Sequence, residues 1–228
     1  EIAEAIIASC DEILNGRLHG QFITDLIQGG AGHSMNMNAN EVIANRANEM
    51  LGGNKGTYEY VHPLKHVNLN QTINDIIPTA SKIALTKQIK KLQVELKKLQ
   101  NAFSTRGKEL LNRDLEELGL MFNATASTLS RDLKRIDSAI NSLSELNMGA
   151  TILGENNIVH QKYAKKIVYY INKFSGEEFE KAKDVIDSTR NFDSYVYTSS
   201  ILKVLSSTLS KISSDFTFHS CNLPTYQV

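Results

Sequence analysis

The distribution of proline constrains the fold of this chain more than any other feature of its sequence. Prolines occur only at positions 63, 78 and 224 of the 228 residues, so the stretch between Pro78 and Pro224 contains none. Because proline removes a helical hydrogen-bond donor and clashes with the preceding turn, a stretch without it can form very long helices. Eight of the 13 glycines lie at or before Gly56. The first quarter of the chain is therefore predicted to contain shorter elements and turns.

Apolar residues recur at steps of three and four in three parts of the proline-free stretch, which places them on one face of a helix. The first such seam comprises Leu85, Ile89, Leu92, Leu96, Leu99 and Phe103, the second Leu129, Leu133, Ile136, Ile140, Leu143 and Leu146, and the third Ile201, Leu205, Leu209 and Ile212. A helix with one apolar face must bury that face against another element. The seams therefore predict an all-α fold in which long helices form a bundle.

Local signals predict where these helices begin and end. Pro78 suits the first turn of the first long helix, with Thr79 or Ser81 as its cap. The pattern is also mostly helical over 106–126, and short helices are expected at 160–174 and 177–186. The best strand pattern, at 195–197, is too short to support a sheet. We therefore expect N-terminal helices and a Gly/Asn-rich segment at 1–77, a long-helix bundle at 78–221, and the start of a loop at 222–228.

Charge and composition narrow the classes of partner. The chain has 25 Lys and Arg against 25 Asp and Glu, a formal net charge of zero. Binding to nucleic acid or to a membrane surface requires clustered basic residues in excess, so neither partner is expected. No apolar run approaches the roughly 20 residues that span a bilayer. With only Cys10 and Cys221 available, the simplest interpretation is a reduced, cytoplasmic protein.

Residue spacing alone gives no catalytic constellation. The chain contains no Gly-x-Ser-x-Gly elbow and no pair of histidines around a glutamate as in helical zinc proteases. His62 and His66 are four residues apart, but Pro63 argues against a regular helix between them, so no metal site is predicted. The glycine-rich segment 28–32 lacks the ending of a phosphate-binding loop, which favours a tight turn over a phosphate site.

Longer segments carry a resemblance that single motifs do not. Residues 28–47, QGGAGHSMNMNANEVIANRA, and 58–80, YEYVHPLKHVNLNQTINDIIPTA, resemble the aspartase/fumarase superfamily, most closely the aspartate ammonia-lyases. Residues 144–154, SELNMGATILG, resemble a third segment of the same family. We refer to these as the first, second and third family-like segments. The residues Asn222, Leu223 and Pro224 resemble the approach to a mobile loop in that family.

The resemblance implies both a fold and a reaction. The fold is a bundle of long helices that assembles into a homotetramer, with sites built from segments of different subunits. The reaction is the reversible elimination of ammonia from L-aspartate to give fumarate, without any redox or organic cofactor. A base removes a proton next to a carboxylate, so donors must stabilise the negative charge that develops there.

Several positions depart from the family pattern. His33 stands where the family usually has threonine, Ile73 also replaces a threonine, and Leu64 and Lys65 replace an Asn-Asp pair. Residues 109–126 show no trace of a Thr-His/Gln-Leu-Gln-Asp-Ala segment of the family. The chain stops at Val228, before the expected loop that carries the serine base with its following lysine and asparagine. No catalytic residue is therefore assigned.

These observations leave two hypotheses open. The first is an aspartate ammonia-lyase-like protein that is catalytically impaired as written. Its candidate substrate-binding residues for a small dicarboxylate or amino acid are Thr72, Asn74, Ser34 and His33, although Thr72, Asn74 and Ser34 have an equally ordinary interpretation as helix caps. The second is a non-catalytic or engineered helical scaffold that serves in oligomerisation. Fumarase or argininosuccinate-lyase specificity is a weaker third alternative.

Overall fold

Helices form most of the computed structural model, which describes residues 1–27, 29–113, 115–149 and 160–222, without the side chains of 221 and 222. The α-helices are α1 (Ile2–Leu14), α2 (His33–Met50), α3 (Ile73–Leu111), α4 (Glu116–Ser142), α5 (Gln161–Ser175), α6 (Val185–Arg190) and α7 (Asp193–Asn222). The predicted all-α class is confirmed. The two-residue strands β1 (Glu145–Leu146) and β2 (Glu180–Lys181) pair with each other, and a short 3-10 turn spans His19–Gln21.

The chain divides into two compact units. Unit 1 comprises Glu1–Ser81 and Leu146–Arg190, and unit 2 comprises Lys82–Glu145 and Asn191–Val228. The division predicted from the sequence, at residues 77 and 221, remains a prediction, and residues 223–228 lie outside the described part of the chain. No helix within the described ranges has the length and apolar character needed to cross a membrane.

The core of unit 2 is built from the three predicted seams. Its most buried members are Ile89 and Leu96 of α3, Leu129, Ile136, Ala139 and Leu143 around α4, and Ile201 and Leu205 of α7. Half-buried apolar neighbours, including Phe103, Leu209 and Ile212, pack against this cluster. The rings of Phe103, Phe122 and Phe216 extend it, with centroids 4.9–5.4 Å apart. Each helix thus buries the face that its spacing predicted.

One residue of the first seam does not join this core. Leu99 is 37% exposed. It lies on α3 three residues after the buried Leu96, at the edge of the apolar face. A spacing of three and four identifies a face of a helix but does not fix the width of the stripe that a neighbour covers.

A buried lysine holds the chain beyond the end of α4. Lys82 is only 6% exposed and donates from Nζ to the carbonyl oxygen of Glu145 at 2.6 Å. Burial lowers the pKa of this ammonium group, while the charges of Glu145 and Asp193 oppose the decrease. The Glu145 carbonyl follows the last turn of α4, where a cation is favourable.

Unit 1 has a smaller core made mainly of alanine. Ala5 of α1 packs with Ala44 and Ala47 of α2 and with Val61. Small side chains let the two helices approach closely. The guanidinium of Arg46 on α2 forms two hydrogen bonds, 2.7 and 2.8 Å long, with the Glu12 carboxylate of α1. This fork fixes the two helices at the edge of the small apolar contact.

The structure corrects the predicted start of the first long helix. It begins at Ile73, so Pro78 is its sixth residue rather than a member of its first turn. Consequently Thr79 and Ser81 do not cap it. The mostly helical pattern over 106–126 is interrupted, because α3 ends at Leu111 and α4 begins at Glu116.

One short prediction in the last third of the chain was also wrong. Residues 177–186 contain β2 and the beginning of α6 instead of one helix. Residues 195–197, the best strand pattern, lie inside α7. Strand propensity depends on a neighbouring strand, and three alternating residues provide none; within the helix Val196 and Tyr197 remain 67% and 46% exposed. The predicted helix at 160–174 is confirmed as α5, which ends at Gly176 in a left-handed conformation with φ 72°.

The core of unit 2 predicts a contrast between two leucines of the same helix. Leu129 is fully buried and Leu120 is 56% exposed, both on α4. We expect Leu129→Ala to lower the free energy of unfolding by about 2–5 kcal/mol, because it removes buried surface and leaves a cavity. Leu120→Ala should cost less than about 1 kcal/mol. Urea titration followed by far-ultraviolet circular dichroism measures both, and equal losses would contradict this description of the core.

Candidate functional site

Residues of all three family-like segments meet in unit 1, and those of the third segment are residues 146–149. Asn40 of the first segment donates to Asn68 Oδ1 of the second at 3.1 Å. The third segment joins the second through Asn147 Nδ2, which donates to the Asn74 carbonyl at 2.8 Å, and through the Gly149 N–H, 3.3 Å from Asp75 Oδ2. Residues 150–154 of the third segment, like Gln28 of the first, lie outside the described residues. Positions far apart in sequence therefore form one polar site.

A left-handed turn sets the start of α2. Ala31 and Gly32 have φ values of 49° and 81°, and the His33 N–H donates to the Gly30 carbonyl at 2.8 Å. A Cβ on Gly32 would lie 2.9 Å from Ile77 Cγ1 of α3, so only glycine permits this approach. The predicted tight turn is thus present, and it brings the N-terminus of α2 against the first turns of α3.

Asparagines connect α2 to the chain that leads into α3. Asn68 Oδ1 accepts from Asn40 and, at 3.4 Å, from Asn36, while Asn68 Nδ2 donates to the Gln71 carbonyl at 3.1 Å. Asn36 and Asn40 are 7% and 5% exposed. Buried amides must find partners, and one side chain here serves two helical asparagines and one carbonyl.

Asn48 holds the preceding stretch of chain in the same manner. Its amide nitrogen donates to the carbonyls of Ala44 and Val61, and its oxygen accepts from the N–H groups of Tyr60 and Val61. All these bonds are between 2.7 and 3.2 Å. Because Asn48 is fully buried, it anchors the chain just before His62 and Pro63 to α2.

The start of α3 is closed by a carboxylate. Thr72 precedes the helix, and both its N–H and its hydroxyl donate to Asp75 Oδ1, at 2.8 and 3.2 Å. This is the half of a capping box in which the third helical residue reaches back to the N-cap. The Thr72 hydroxyl is therefore already engaged within the protein.

Asp75 is the most deeply buried ionisable group of this site, with no exposed surface. Burial raises the pKa of its carboxyl, and the N–H groups of Thr72 and Gly149 that donate to it oppose the rise. A buried carboxylate beside helix N-termini can hold a proton or a negative charge as its surroundings change. Here its two oxygens bind two different family-like segments together.

Pro78 determines how the third segment binds. In an α-helix the N–H of residue 78 would donate to the carbonyl of Asn74, but proline has no N–H. The Asn147 side chain supplies the missing donor to that carbonyl at 2.8 Å. Asn147 Nδ2 also donates to Thr189 Oγ1 of α6 at 3.0 Å. The proline inside α3 thus creates the acceptor that recruits Asn147.

Residues of α5 complete this region. The His160 N–H, just before the helix, donates to Asn70 Oδ1 at 3.0 Å. Asn70 has a φ of 63°, a left-handed conformation that asparagine tolerates. Burial raises the pKa of the Tyr163 hydroxyl to about 12, and the nearby charge of Asp75 adds to the rise.

The predicted substrate-binding residues lie at two neighbouring helix starts. His33 and Ser34 are the first residues of α2 and are exposed, whereas Thr72 and Asn74 are half-buried at the start of α3. The N-cap of α2 is Gly32, which has no side chain to cap the first amides. Ser34 is not the N-cap, since α2 begins one residue before it. Whether these four residues bind a substrate stays a prediction.

Sequence reasoning missed Asp75, Asn147 and Tyr163 as members of the site. A signal for Asp75 was present, because Thr72-Ile73-Asn74-Asp75 has the spacing of a capping box. Asn147 and Tyr163 carried no such signal. Each role depends on a residue far away in the sequence. Tyr163 is affected by Asp75, 88 positions away, and Asn147 donates to the carbonyl of Asn74, 73 positions away.

The two histidines of the second segment, His62 and His66, accept hydrogen bonds from backbone N–H groups. His62 Nδ1 accepts from the N–H of Leu64 at 3.1 Å, and His66 Nδ1 accepts from the N–H of His62 at 3.0 Å. These bonds occupy one nitrogen of each ring. Within the described ranges, no group of three or more His, Cys, Asp or Glu side chains is arranged to hold a metal ion.

The geometry agrees with comparisons to known proteins. A family model described as Lyase matches residues 1–112 and 117–222. The chain belongs to this lyase family. The resemblance to the aspartase/fumarase superfamily, with aspartate ammonia-lyases as relatives, is therefore confirmed.

Curated relatives of this lyase chain include two bacterial enzymes. The aspartate ammonia-lyase of Bacillus subtilis (strain 168) is 40% identical over 225 residues, which cover 94% of this chain and 47% of the relative. The aspartate ammonia-lyase of Helicobacter pylori (strain J99) is 38% identical, covering 92% of this chain and 47% of the relative. The chain spans about half the length of the curated relatives that it matches.

Solved structures place the fold in the same group. A fumarate lyase:delta crystallin from Brucella melitensis, solved with bound cobalt, superposes with a TM-score of 0.87 at 36% identity, over 94% of this chain and 49% of that one. A class II fumarase from Schistosoma mansoni superposes with a TM-score of 0.84 at 23% identity, over 94% of this chain and 50% of that one. The second likeness shows the fold alone.

The pairing of Pro78 with Asn147 predicts a coupled pair of substitutions in this lyase chain. Asn147→Ala should lower the free energy of unfolding by about 1–3 kcal/mol, because it leaves the Asn74 carbonyl without a donor. In a Pro78→Ala background the new N–H of residue 78 can donate to that carbonyl, so the same substitution should cost less. A double-mutant cycle from urea titrations measures the difference. Equal costs in both backgrounds would show that Asn147 does not replace the missing helical donor.

Tyr163 predicts a pH dependence at the alkaline end. Its pKa is about 12 in the folded protein against an ordinary value of 10.0. Between these values the unfolded chain releases the proton and the folded chain keeps it, so stability falls as pH rises from 10 towards 12. Tyr163→Phe should remove this part of the loss. Melting temperatures across that range, for wild type and variant, test the assignment, and parallel curves would contradict it.

Proposed function

We propose that this chain belongs to an aspartate ammonia-lyase-type carbon–nitrogen lyase, whose parent reaction converts L-aspartate to fumarate and ammonia. The observation that carries the proposal is the meeting of the three family-like segments in one polar site of unit 1. The similarity to the aspartate ammonia-lyases of Bacillus subtilis and Helicobacter pylori supports it. The substrate class is a small dicarboxylate or amino acid.

The start of α2 suits one carboxylate of such a substrate. The first amides of a helix bear partial positive charge and bind anions, and Gly32 leaves these amides uncapped by a side chain. The Ser34 hydroxyl and the His33 imidazole add exposed donors at the same place. In this proposal Asn74, at the start of α3, donates to the developing negative charge. Thr72 lies beside it with its hydroxyl bonded to Asp75.

We further propose that catalysis is impaired in the chain as written. Ile73, the first residue of α3, provides an apolar side chain where the family pattern has a hydroxyl donor. The Thr72 hydroxyl donates to Asp75 instead. Loss of one donor to a developing oxyanion typically lowers the rate by about 10²–10³. We assign no catalytic base, metal or organic cofactor to these residues.

Self-association is part of the proposal, as a homotetramer by resemblance to the family. The helices of unit 2 present apolar side chains outside its core, among them Val94 of α3, 54% exposed, and Val204 of α7, 44% exposed. Apolar side chains on long helices favour association with further helices. The cytoplasm remains the proposed compartment.

A second candidate is a non-catalytic or engineered helical scaffold that serves in oligomerisation. The observation in its favour is that the seams of unit 2 are intact while His33 and Ile73 depart from the family pattern. Random mutation without selection for structure would have altered the apolar seams as well as the positions near the predicted substrate site. Light scattering tests the assembly, and a strict monomer would contradict self-association in either candidate.

Turnover and ligand protection together test the lyase proposal. We expect fumarate formation from L-aspartate, followed by ultraviolet absorbance, to be at least about 10²-fold slower than for the Bacillus subtilis enzyme. L-Aspartate should still raise the melting temperature, and D-aspartate should not. Turnover equal to that of the relative would refute the impairment. If the chain shows no turnover and L-aspartate does not stabilise it, the lyase proposal is refuted and the scaffold is favoured.

Two isoleucine variants test whether the expected loss of activity arises from the missing hydroxyl donor at residue 73. Ile73→Thr restores the hydroxyl that the family pattern has at this position and should raise turnover or L-aspartate stabilisation. Ile76→Thr is the matched control, since it adds the same hydroxyl elsewhere in the half-buried first turns of α3. If both variants behave alike, the loss does not arise at residue 73.

A further inference from the structure

Two histidines close the short turn at Pro63–Val67, just before the asparagine network of unit 1. His62 precedes the turn, and its Nδ1 accepts from the N–H groups of Leu64 at 3.1 Å and Lys65 at 3.4 Å. His66 reaches back, and its Nδ1 accepts from the N–H of His62 at 3.0 Å. The arrangement is similar to a capping box, but imidazoles replace the usual hydroxyl and carboxylate, and the side chain that reaches back belongs to the fourth residue of the turn instead of the third.

The donors require an unprotonated nitrogen on each ring. A backbone N–H can only donate, so each Nδ1 must present a lone pair, and any proton on the neutral ring is on Nε2. An imidazolium carries a proton on both nitrogens and cannot accept. Histidine is the side chain that ordinarily changes charge between about pH 5 and 8.

We propose that His62 and His66 form an acid-sensitive latch, which holds the Pro63–Val67 turn while both rings are neutral and releases it when either is protonated. The proposal stands on the hydrogen bonds of unit 1 and does not depend on the lyase function. It assigns to this histidine pair a regulatory role, not a metal site.

The Tyr58 ring lies against His62, with centroids 5.8 Å apart, and the nearest cation in the turn is Lys65. No carboxylate lies within salt-bridge distance of either ring among the described residues.

The side chains of α2 that contact the segment around the latch are uncharged. The residues of α2 that bind the segment 60–68 are Asn36, Asn40 and Asn48. Arg46 and Glu49 of α2 pair instead with Glu12 and Lys55. The neighbours from α1, Ala5 and Ile6, are apolar.

Release of the turn has consequences beyond it. Val67, the last residue of the turn, packs against the alanine core of unit 1. Asn68 follows directly, and its side chain binds Asn36, Asn40 and the Gln71 carbonyl. Protonation of the latch therefore loosens the link between α2 and the start of α3.

Hydrogen exchange and nitrogen-15 NMR on the intact chain test the latch. At neutral pH both rings should show an unprotonated Nδ1. Between about pH 7.5 and 5, protection of the His62 and Leu64 amides, corrected for intrinsic exchange, should fall by about tenfold or more as the rings become protonated. The side-chain amide signals of Asn36 and Asn40 should shift in the same pH range.

Substituted chains separate this latch from other acid effects. In the double variant His62→Asn with His66→Gln, the amide oxygens can accept the same N–H groups without titrating. We expect this variant to keep the protection of both amides at pH 5. His219→Asn, which removes an exposed histidine of α7, should leave the acid-induced loss unchanged.

Two results would overturn the proposal, and neither needs a variant. One is a proton on Nδ1 of His62 or His66 at neutral pH. The other is unchanged protection of the two amides in the wild-type chain after both rings have titrated. His160 also caps a helix, since its Nδ1 accepts from the Lys162 N–H at 3.2 Å, so exchange at Lys162 is recorded separately.

Discussion

Unit 1 depends on one requirement: backbone groups that its turns and its proline leave unpaired must be satisfied by side chains. Pro78 removes the donor for the Asn74 carbonyl, and the Asn147 side chain replaces it. Thr72 has no helical partner for its N–H, and the Asp75 carboxylate accepts it. A buried polar group without a partner costs more than a typical hydrogen bond contributes. The groups that remove this cost are the ones that bring the three family-like segments together.

Asparagine suits this task because its amide donates and accepts at once. Asn48 makes four such bonds to the backbone, and Asn68 serves side chains and backbone together. The alanine core beneath is too small to fix these segments by packing alone. Precise hydrogen bonds position the site here, and this also makes it sensitive to single changes such as Ile73 and to protonation of His62 or His66.

Unit 2 is stabilised in a different way. Its helices bury apolar faces against one another, and its core consists of aliphatic side chains with an aromatic group formed by Phe103, Phe122 and Phe216. Such a core tolerates exchanges between apolar side chains of similar volume. The core of unit 2 contains none of the positions that depart from the family pattern, which are His33, Leu64, Lys65 and Ile73.

The sequence by itself determined the helical class, the three seams and the glycine turn before α2, because these depend on local spacing and on the absence of proline. It also contained the capping pattern from Thr72 to Asp75. Only the tertiary structure decided that Pro78 lies inside a helix, that residues 195–197 are helical, and that Asn147 and Tyr163 belong to the site. Residues 195–197 are three residues within a 30-residue helix, and that helix sets their conformation. For Pro78, Asn147 and Tyr163 a partner far along the chain supplies the missing donor or the burial, and no local pattern of residues records that partner.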